Sequence, residues 1–209
     1  MNNEVGKHGR ALGKPAAWRS VELITVAVVA VALGVAFWGW DMLLYPWVSA
    51  GLNTLFPPAA SLTLGVWVLP AVIGALLIRR PGAALLCELI AATVEALLGS
   101  QWGLNVMVSG FLQGLGVELV VALFLWRRFA MPVAALGGAC AAALELCVWE
   151  WWVYQVEYTM PMRFVALGCA VVSCVLISGV GGWSLVRGLA ATGALNAFPP
   201  GRERLAGRL

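Results

Sequence analysis

The chain has 209 residues, of which 62% are hydrophobic and 11% charged, against a charged share of about 25% in soluble domains. A bilayer span takes about 20 apolar residues, so six spans with short connections use most of the chain and exclude a large cytoplasmic catalytic module. The net charge of +3 does not indicate nucleic acid, because the basic residues fall at termini or in short turns, where membrane topology requires them.

Residues 1–18, beginning MNNEVGKHGRALGKP, read as a polar, basic cytoplasmic tail. The apolar run from Val21 to Leu44 is too long for the core of a cleaved signal peptide and reads as a first span. The second span, Ala59 to Ile78, carries Pro70 in its interior, where a kink is expected, and is closed by Arg79 and Arg80. Pro81 suits the first turn of a third helix, Pro81 to Leu98. Gly99-Ser100-Gln101-Trp102-Gly103 then breaks the apolar run as a turn. The fourth span runs from Leu104 to Trp126, ended by Arg127 and Arg128, the fifth from Met131 to Trp152 and the sixth from Met162 to Leu185. The expected fold is an all-α, six-helix transmembrane domain over 19–189, followed by a cytoplasmic tail at 190–209.

Basic residues near span ends are retained on the cytoplasmic side. Lys7, Arg10, Lys14 and Arg19 precede the first span. Arg79 and Arg80 separate spans two and three, and Arg127 and Arg128 separate four and five. Arg187, Arg202, Arg204 and Arg208 follow the sixth. Six spans thus place 12 of the 13 basic residues on one side, with Arg163 opposite, and both termini are expected in the cytoplasm. Cys87, Cys140, Cys147, Cys169 and Cys174 lie in apolar stretches without a Cys-x-x-Cys pair and read as small packing residues.

A charge near the middle of a span costs roughly 2.5 to 3.5 kcal/mol on insertion scales, so acids inside spans require a reason. Asp41 lies near the outer end of span one, Glu88 and Glu95 in span three, Glu118 in span four, and Glu145 and Glu150 in span five. No Lys, Arg or His lies within the interior of any span, Arg163 standing at the very edge of the sixth. The plain reading is a protonated or helix-bonded carboxyl, and it is preferred for Glu118 and Glu145. For the acids nearer the outer leaflet, a bound cation or a nitrogen heterocycle completes the pairing. Glu95 and Glu150 are the leading candidates, and Glu88, seven residues before Glu95, shares its helix face.

Trp102, Asn105, Ser109 and Gln113 step by three, four and four, forming a polar stripe on span four. Such a stripe serves either as helix glue or as a ligand wall, and its position beside the acidic third helix favours the wall. Seven of the 11 Trp fall at expected outer edges, where anchoring at lipid headgroups is the ordinary role. Trp40, Trp102 and Trp149, next to or in step with the polar residues, are candidates to stack on a ligand. In span one, Ala30-xxx-Gly34 and Ala32-xxx-Ala36 form small-residue stripes that suit either internal packing or a docking partner.

No Walker A loop is present. The only histidine is His8 in the tail, which removes His-based zinc sites and Ser-His or Cys-His relays. No cofactor and no ATPase site of its own are expected, and an enzyme stays open but lacks a visible nucleophile.

Arg79-Arg80-Pro81-Gly82-Ala83-Ala84, Glu88, Glu95, Leu98-Gly99-Ser100-Gln101-Trp102-Gly103 and Gln113-Gly114-Leu115-Gly116-Val117-Glu118 form a nearly continuous block. Together with Trp40-Asp41 and the Trp- and Glu-rich end of span five, this block resembles the S components of energy-coupling factor (ECF) vitamin transporters, the YkoE family in particular. The resemblance covers roughly residues 20–190. It implies a plasma-membrane subunit capturing thiamin or its hydroxymethylpyrimidine precursor, together with a transmembrane T component and two cytoplasmic ATPases. It also implies docking on the T component through a small-xxx-small motif of the first helix. Two other classes stay open at this point: an integral membrane enzyme or partner subunit acting on a lipid or prenyl substrate, and a structural membrane partner.

Overall fold

The computed structural model describes residues 18–207. The tail expected at 1–18 lies outside the described residues except for Trp18, as does Arg208 at the other end. All regular elements of the described chain are helical: α1 (Ser20–Leu43), α2 (Tyr45–Leu55), a 3-10 run (Pro57–Val66), α3 (Leu69–Ile78), α4 (Ala83–Leu98) and α5 (Asn105–Leu123). Two long helices, α6 (Met131–Val153) and α7 (Met160–Ala191), and a short α8 (Pro199–Leu205) complete it.

Five stretches are long and apolar enough to cross a bilayer: α1, the 3-10 run continued through α3, α5, α6 and α7. The stretch expected as a third span is the shorter α4, of 16 residues. It extends about 24 Å at 1.5 Å per residue, less than the roughly 30 Å hydrocarbon core. Its neighbours α1, α3 and α5 surround it, and its apolar faces meet protein on three sides.

Local chemistry accounts for the departures from the expected boundaries. Pro70 stands in the first turn of α3, where its missing N–H is harmless. The chain ahead of it winds as a 3-10 helix to Val66, so the expected kink is a change of helix type. Arg79 (φ 59°) and Gly82 (φ 85°) are both left-handed, and the turn between them leaves Pro81 outside α4. Glycine tolerates that conformation without a Cβ penalty, which fits Gly82 as the residue that caps α4. The connection expected at 45–58 contains α2, which packs on the 3-10 run. The stretch read as a C-terminal tail continues α7 to Ala191 and folds back through α8, burying Leu195 and Phe198.

Small residues set the helix spacing. A Cβ on Gly34 of α1 would lie 2.6 Å from the Ala91 carbonyl oxygen and 2.7 Å from Val94 Cβ in α4. A Cβ on Gly114 of α5 would meet Leu85 Cα at 2.9 Å, and one on Gly138 of α6 would meet Cys174 of α7. Backbones this close gain dispersion contacts, the main attraction available between helices in lipid. All five cysteines are free, with Cys87 and Cys174 fully buried among these contacts.

The two ends of the bundle differ in chemistry. One end carries Arg19, Arg79, Arg80, Arg127 and Arg128. There Glu22 accepts from Arg19 and Arg80, each at 3.2 Å, and Glu203 of α8 takes both arms of Arg79. The opposite end carries α2, the α4–α5 turn and the α6–α7 connection, with an aromatic cluster. Arg163 lies at this aromatic end, largely buried, donating to the Val156 carbonyl at 3.2 Å and stacked over Trp152.

Candidate functional site

A cavity of about 290 Å³ occupies the aromatic half of the bundle. Glu88 and Glu95 enter it from α4, as their seven-residue spacing predicts. Ser109 and Gln113 enter from α5, and Trp102 from the turn before it. Glu145 and Glu150 enter from α6. The 3-10 run and its end contribute Ser61, Thr63 and Trp67, and the α6–α7 connection contributes Tyr154, Gln155 and Tyr158.

Glu145 and Glu150 share this cavity because of a local change in winding. Five residues of α-helix turn through about 500°, which would leave the two side chains about 140° apart. The segment Leu146–Glu150 is instead a π-helix, and the Trp151 N–H donates to the Leu146 carbonyl across five residues. A π-turn, bonded across five residues, brings the fifth residue back toward the face of the first. Both carboxyls therefore face the cavity from one helix.

Each carboxyl keeps unused acceptor capacity. Glu88 accepts the Ala71 N–H at 2.8 Å, Glu95 accepts the Ser100 hydroxyl at 2.8 Å, and Glu145 accepts the Gln113 amide. Glu150 has no hydrogen bond among the described residues. An ionised carboxyl offers about four lone-pair sites, so at most one such bond apiece leaves room for donors from a guest. No Lys, Arg or His among the described residues lines the cavity. Glu118, expected as a structural acid, accepts the Gly82 and Ala84 N–H groups and the Trp126 indole, at 2.7, 3.1 and 2.7 Å. It ties α5 to the start of α4.

Aromatic rings wall one side of the cavity. Tyr45, Trp67 and Trp102 meet edge to face, with centroids 5.1 to 5.4 Å apart, the favoured arrangement for such quadrupoles. Trp40 stands behind them, 6.2 Å from Trp67.

Of the nine residues singled out in the sequence for ligand binding, Glu88, Glu95, Trp102, Gln113 and Glu150 line the cavity. Trp40, Asp41, Asn105 and Trp149 do not. Asp41 is buried with neither oxygen in a hydrogen bond of ordinary geometry, and Glu95 and Trp67 are its polar neighbours. It backs the site without lining it. Asn105 begins α5 and is exposed, and Trp149 is partly buried outside the lining. Glu145, expected as a helix-bonded acid, accepts from Gln113 of α5 and also lines the cavity, and the residues not anticipated are Tyr45, Trp67, Tyr154 and Tyr158. Trp67 follows two prolines and two hydroxyl residues in an otherwise apolar run, and those are the sequence signals of a non-α segment. In α1, Ala30 and Gly34 face the interior against α4, whereas Ala32 and Ala36 are exposed.

Comparison with known proteins gives a consistent picture. The family model of the permease component of ABC-type cobalt transport systems matches residues 21–144. Among the described residues no three His, Cys, Asp or Glu side chains converge as a metal-ligand group. The chain is 34% identical over 191 residues to the putative HMP/thiamine permease protein YkoE of Bacillus subtilis (strain 168), covering 89% of this chain and 92% of that protein. A crystal structure of an S-component of ECF transporter superposes with a TM-score of 0.83 at 31% identity, over 92% of this chain and 95% of that one. With that likeness in sequence, fold and length, the chain belongs to the YkoE family of ECF-transporter S components.

Proposed function

We propose that this S component captures thiamin or its hydroxymethylpyrimidine half from the outer side of the membrane. The observation that carries the reading is a cavity holding four carboxyls and no base, beside a wall of aromatic rings. An aminopyrimidine offers a ring-nitrogen acceptor beside an amino donor, which a carboxyl sharing a proton engages at both atoms. A thiazolium brings a fixed positive charge that suits both the excess of acid and the faces of Trp67 and Trp102. The name of the Bacillus relative, an HMP/thiamine permease, supports the same substrate class.

In this reading all six long segments, α4 included, lie within the membrane. The arginine end and both termini are cytoplasmic in this reading, which the distribution of basic residues supports. A transmembrane T component and two cytoplasmic ATPases supply the energy. Ala32 and Ala36, exposed on α1 among Val28, Val31 and Val35, form the docking stripe, because Ala30 and Gly34 are occupied by α4.

Titration of the intrinsic tryptophan fluorescence tests the proposal, since Trp67 and Trp102 line the cavity. Saturable quenching by thiamin or hydroxymethylpyrimidine at submicromolar concentration is expected. A folded protein that responds to neither compound overturns it.

A further inference from the structure

A second cleft, of about 350 Å³, lies at the arginine end between α3, the α5–α6 turn, α7 and α8. We propose that it binds the phosphate of an anionic phospholipid. Three guanidinium groups, those of Arg79, Arg127 and Arg187, line it together with one carboxylate, Glu203. Glu203 is committed to Arg79, whose second arm donates to it at 2.8 Å while its guanidinium lies 4.9 Å over the Phe129 ring. Arg127 and Arg187 make no ion pair among the described residues.

The Arg187 guanidinium and the backbone that carries Arg127 are held in place. Arg187 stacks 4.6 Å over the Trp183 ring, which fixes the plane of its fork. Arg127 follows two consecutive left-handed residues, Leu125 (φ 54°) and Trp126 (φ 52°). This conformation is costly for residues bearing a Cβ. The Trp126 indole bonded to Glu118 anchors that turn. Planar guanidinium forks match phosphate oxygens two at a time. Arg127 and Arg187 line one cleft whose single carboxylate is already paired with Arg79, and they form a site for a phosphate bearing negative charge.

The neighbourhood selects a lipid as the source of that phosphate. Leu123 and Leu125, just before Arg127, are 81% and 63% exposed, and Leu185 and Leu189 flank Arg187 with their side chains outward. These apolar side chains, at the end of α5, in the turn after it and on α7, lie where acyl chains run once a headgroup occupies the cleft. Basic pockets at the ends of membrane helices hold anionic headgroups in this way.

Native mass spectrometry of the full chain, purified from membranes and then exchanged with defined lipids, tests the site. Phosphatidylglycerol is expected to remain bound through detergent exchange, and phosphatidylcholine to be lost. R127Q/R187Q is expected to reduce phosphatidylglycerol retention on the order of tenfold. R128Q/R202Q removes the same charge outside the cleft and is expected to retain the lipid. Equal losses in the two double variants, or equal retention of the two lipids by the unaltered protein, overturn the proposal. Inorganic phosphate that raises the melting temperature as much as phosphatidylglycerol does transfers the site to free phosphate and overturns the lipid assignment. If R127Q/R187Q does not fold, the comparison of the two lipids on the unaltered chain decides.

Discussion

Glu118 accepts three N–H groups and joins two helices, whereas Glu95 accepts one hydroxyl and opens on the cavity. Replacing them should separate stability from binding. Glu118→Ala strands two backbone N–H groups and an indole N–H, all part-buried, at the lower end of about 1–3 kcal/mol for each unmet group. A clear drop in melting temperature is expected, with ligand affinity of the folded fraction unchanged. Glu95→Gln preserves shape and loses the charge. Thiamin or hydroxymethylpyrimidine should bind roughly tenfold to a hundredfold more weakly, the worth of a hydrogen bond to a charged group, with the melting temperature kept. The exposed Glu157→Gln is the control, and affinity equal to that control would remove Glu95 from the site. Glu88, Glu95 and Gln113 were legible in the sequence because polar residues at helical spacing inside an apolar segment are conspicuous. Tyr154, Gln155 and Tyr158 were not, since they lie in an irregular connection whose path no periodicity determines.

At the scale of elements, the π-turn of α6 and the stripe on α1 make opposite demands on substitution. Because Leu146–Glu150 already carries one residue more than an α-turn, deleting the exposed Val148 should convert it to α-winding and leave Glu145 and Glu150 four residues apart, about 40° from alignment. Affinity within about threefold of the full chain is expected, given that the carboxyls stay on one face. Deleting Ala139, in the α-wound part of the same helix, turns everything beyond it by about 100° and should abolish binding. Equal loss in both deletions would refute the alignment role of the π-turn. On α1, Ala32→Leu and Ala36→Leu should spare ligand binding and block uptake in cells. Gly34→Leu should instead lower the melting temperature, since its side chain would enter the Ala91 backbone. Normal uptake in both alanine variants would dismiss the docking role of this face. The helices themselves were legible to within a few residues because long apolar runs ended by arginine pairs leave little freedom. The winding changes at Trp67 and Leu146 were not, because the same apolar composition suits α, 3-10 and π geometry, and tertiary contacts select among them. The short α2 was hidden for a related reason: Pro46 begins it and only Ser49 is buried along it, so it carries no clear apolar face.

The molecule as a whole is polar in the literal sense, with guanidiniums at one end and indole and phenol rings at the other, and the cavity lies toward the rings. In the proposed function, that asymmetry sets which compartment supplies the ligand. Each Arg near the surface of an anionic leaflet gains about 1 kcal/mol, and the eight at the arginine end among the described residues, Arg19, Arg79, Arg80, Arg127, Arg128, Arg187, Arg202 and Arg204, outweigh the single Arg163 opposite. Turning the chain over would also move Glu22 and Glu203, which neutralise only part of that charge, so the preference survives the internal ion pairs. Labelling with a membrane-impermeant maleimide reads the orientation directly. Thr54→Cys, on exposed α2 at the aromatic end, should react in intact cells, whereas Arg128→Cys should react only after the membrane is opened. The native thiols are partly or fully buried, and the unaltered chain measures their background. The reverse labelling pattern would place the cavity on the cytoplasmic side, where capture from outside is physically impossible. It would withdraw the uptake reading while leaving the family assignment and the cavity chemistry intact.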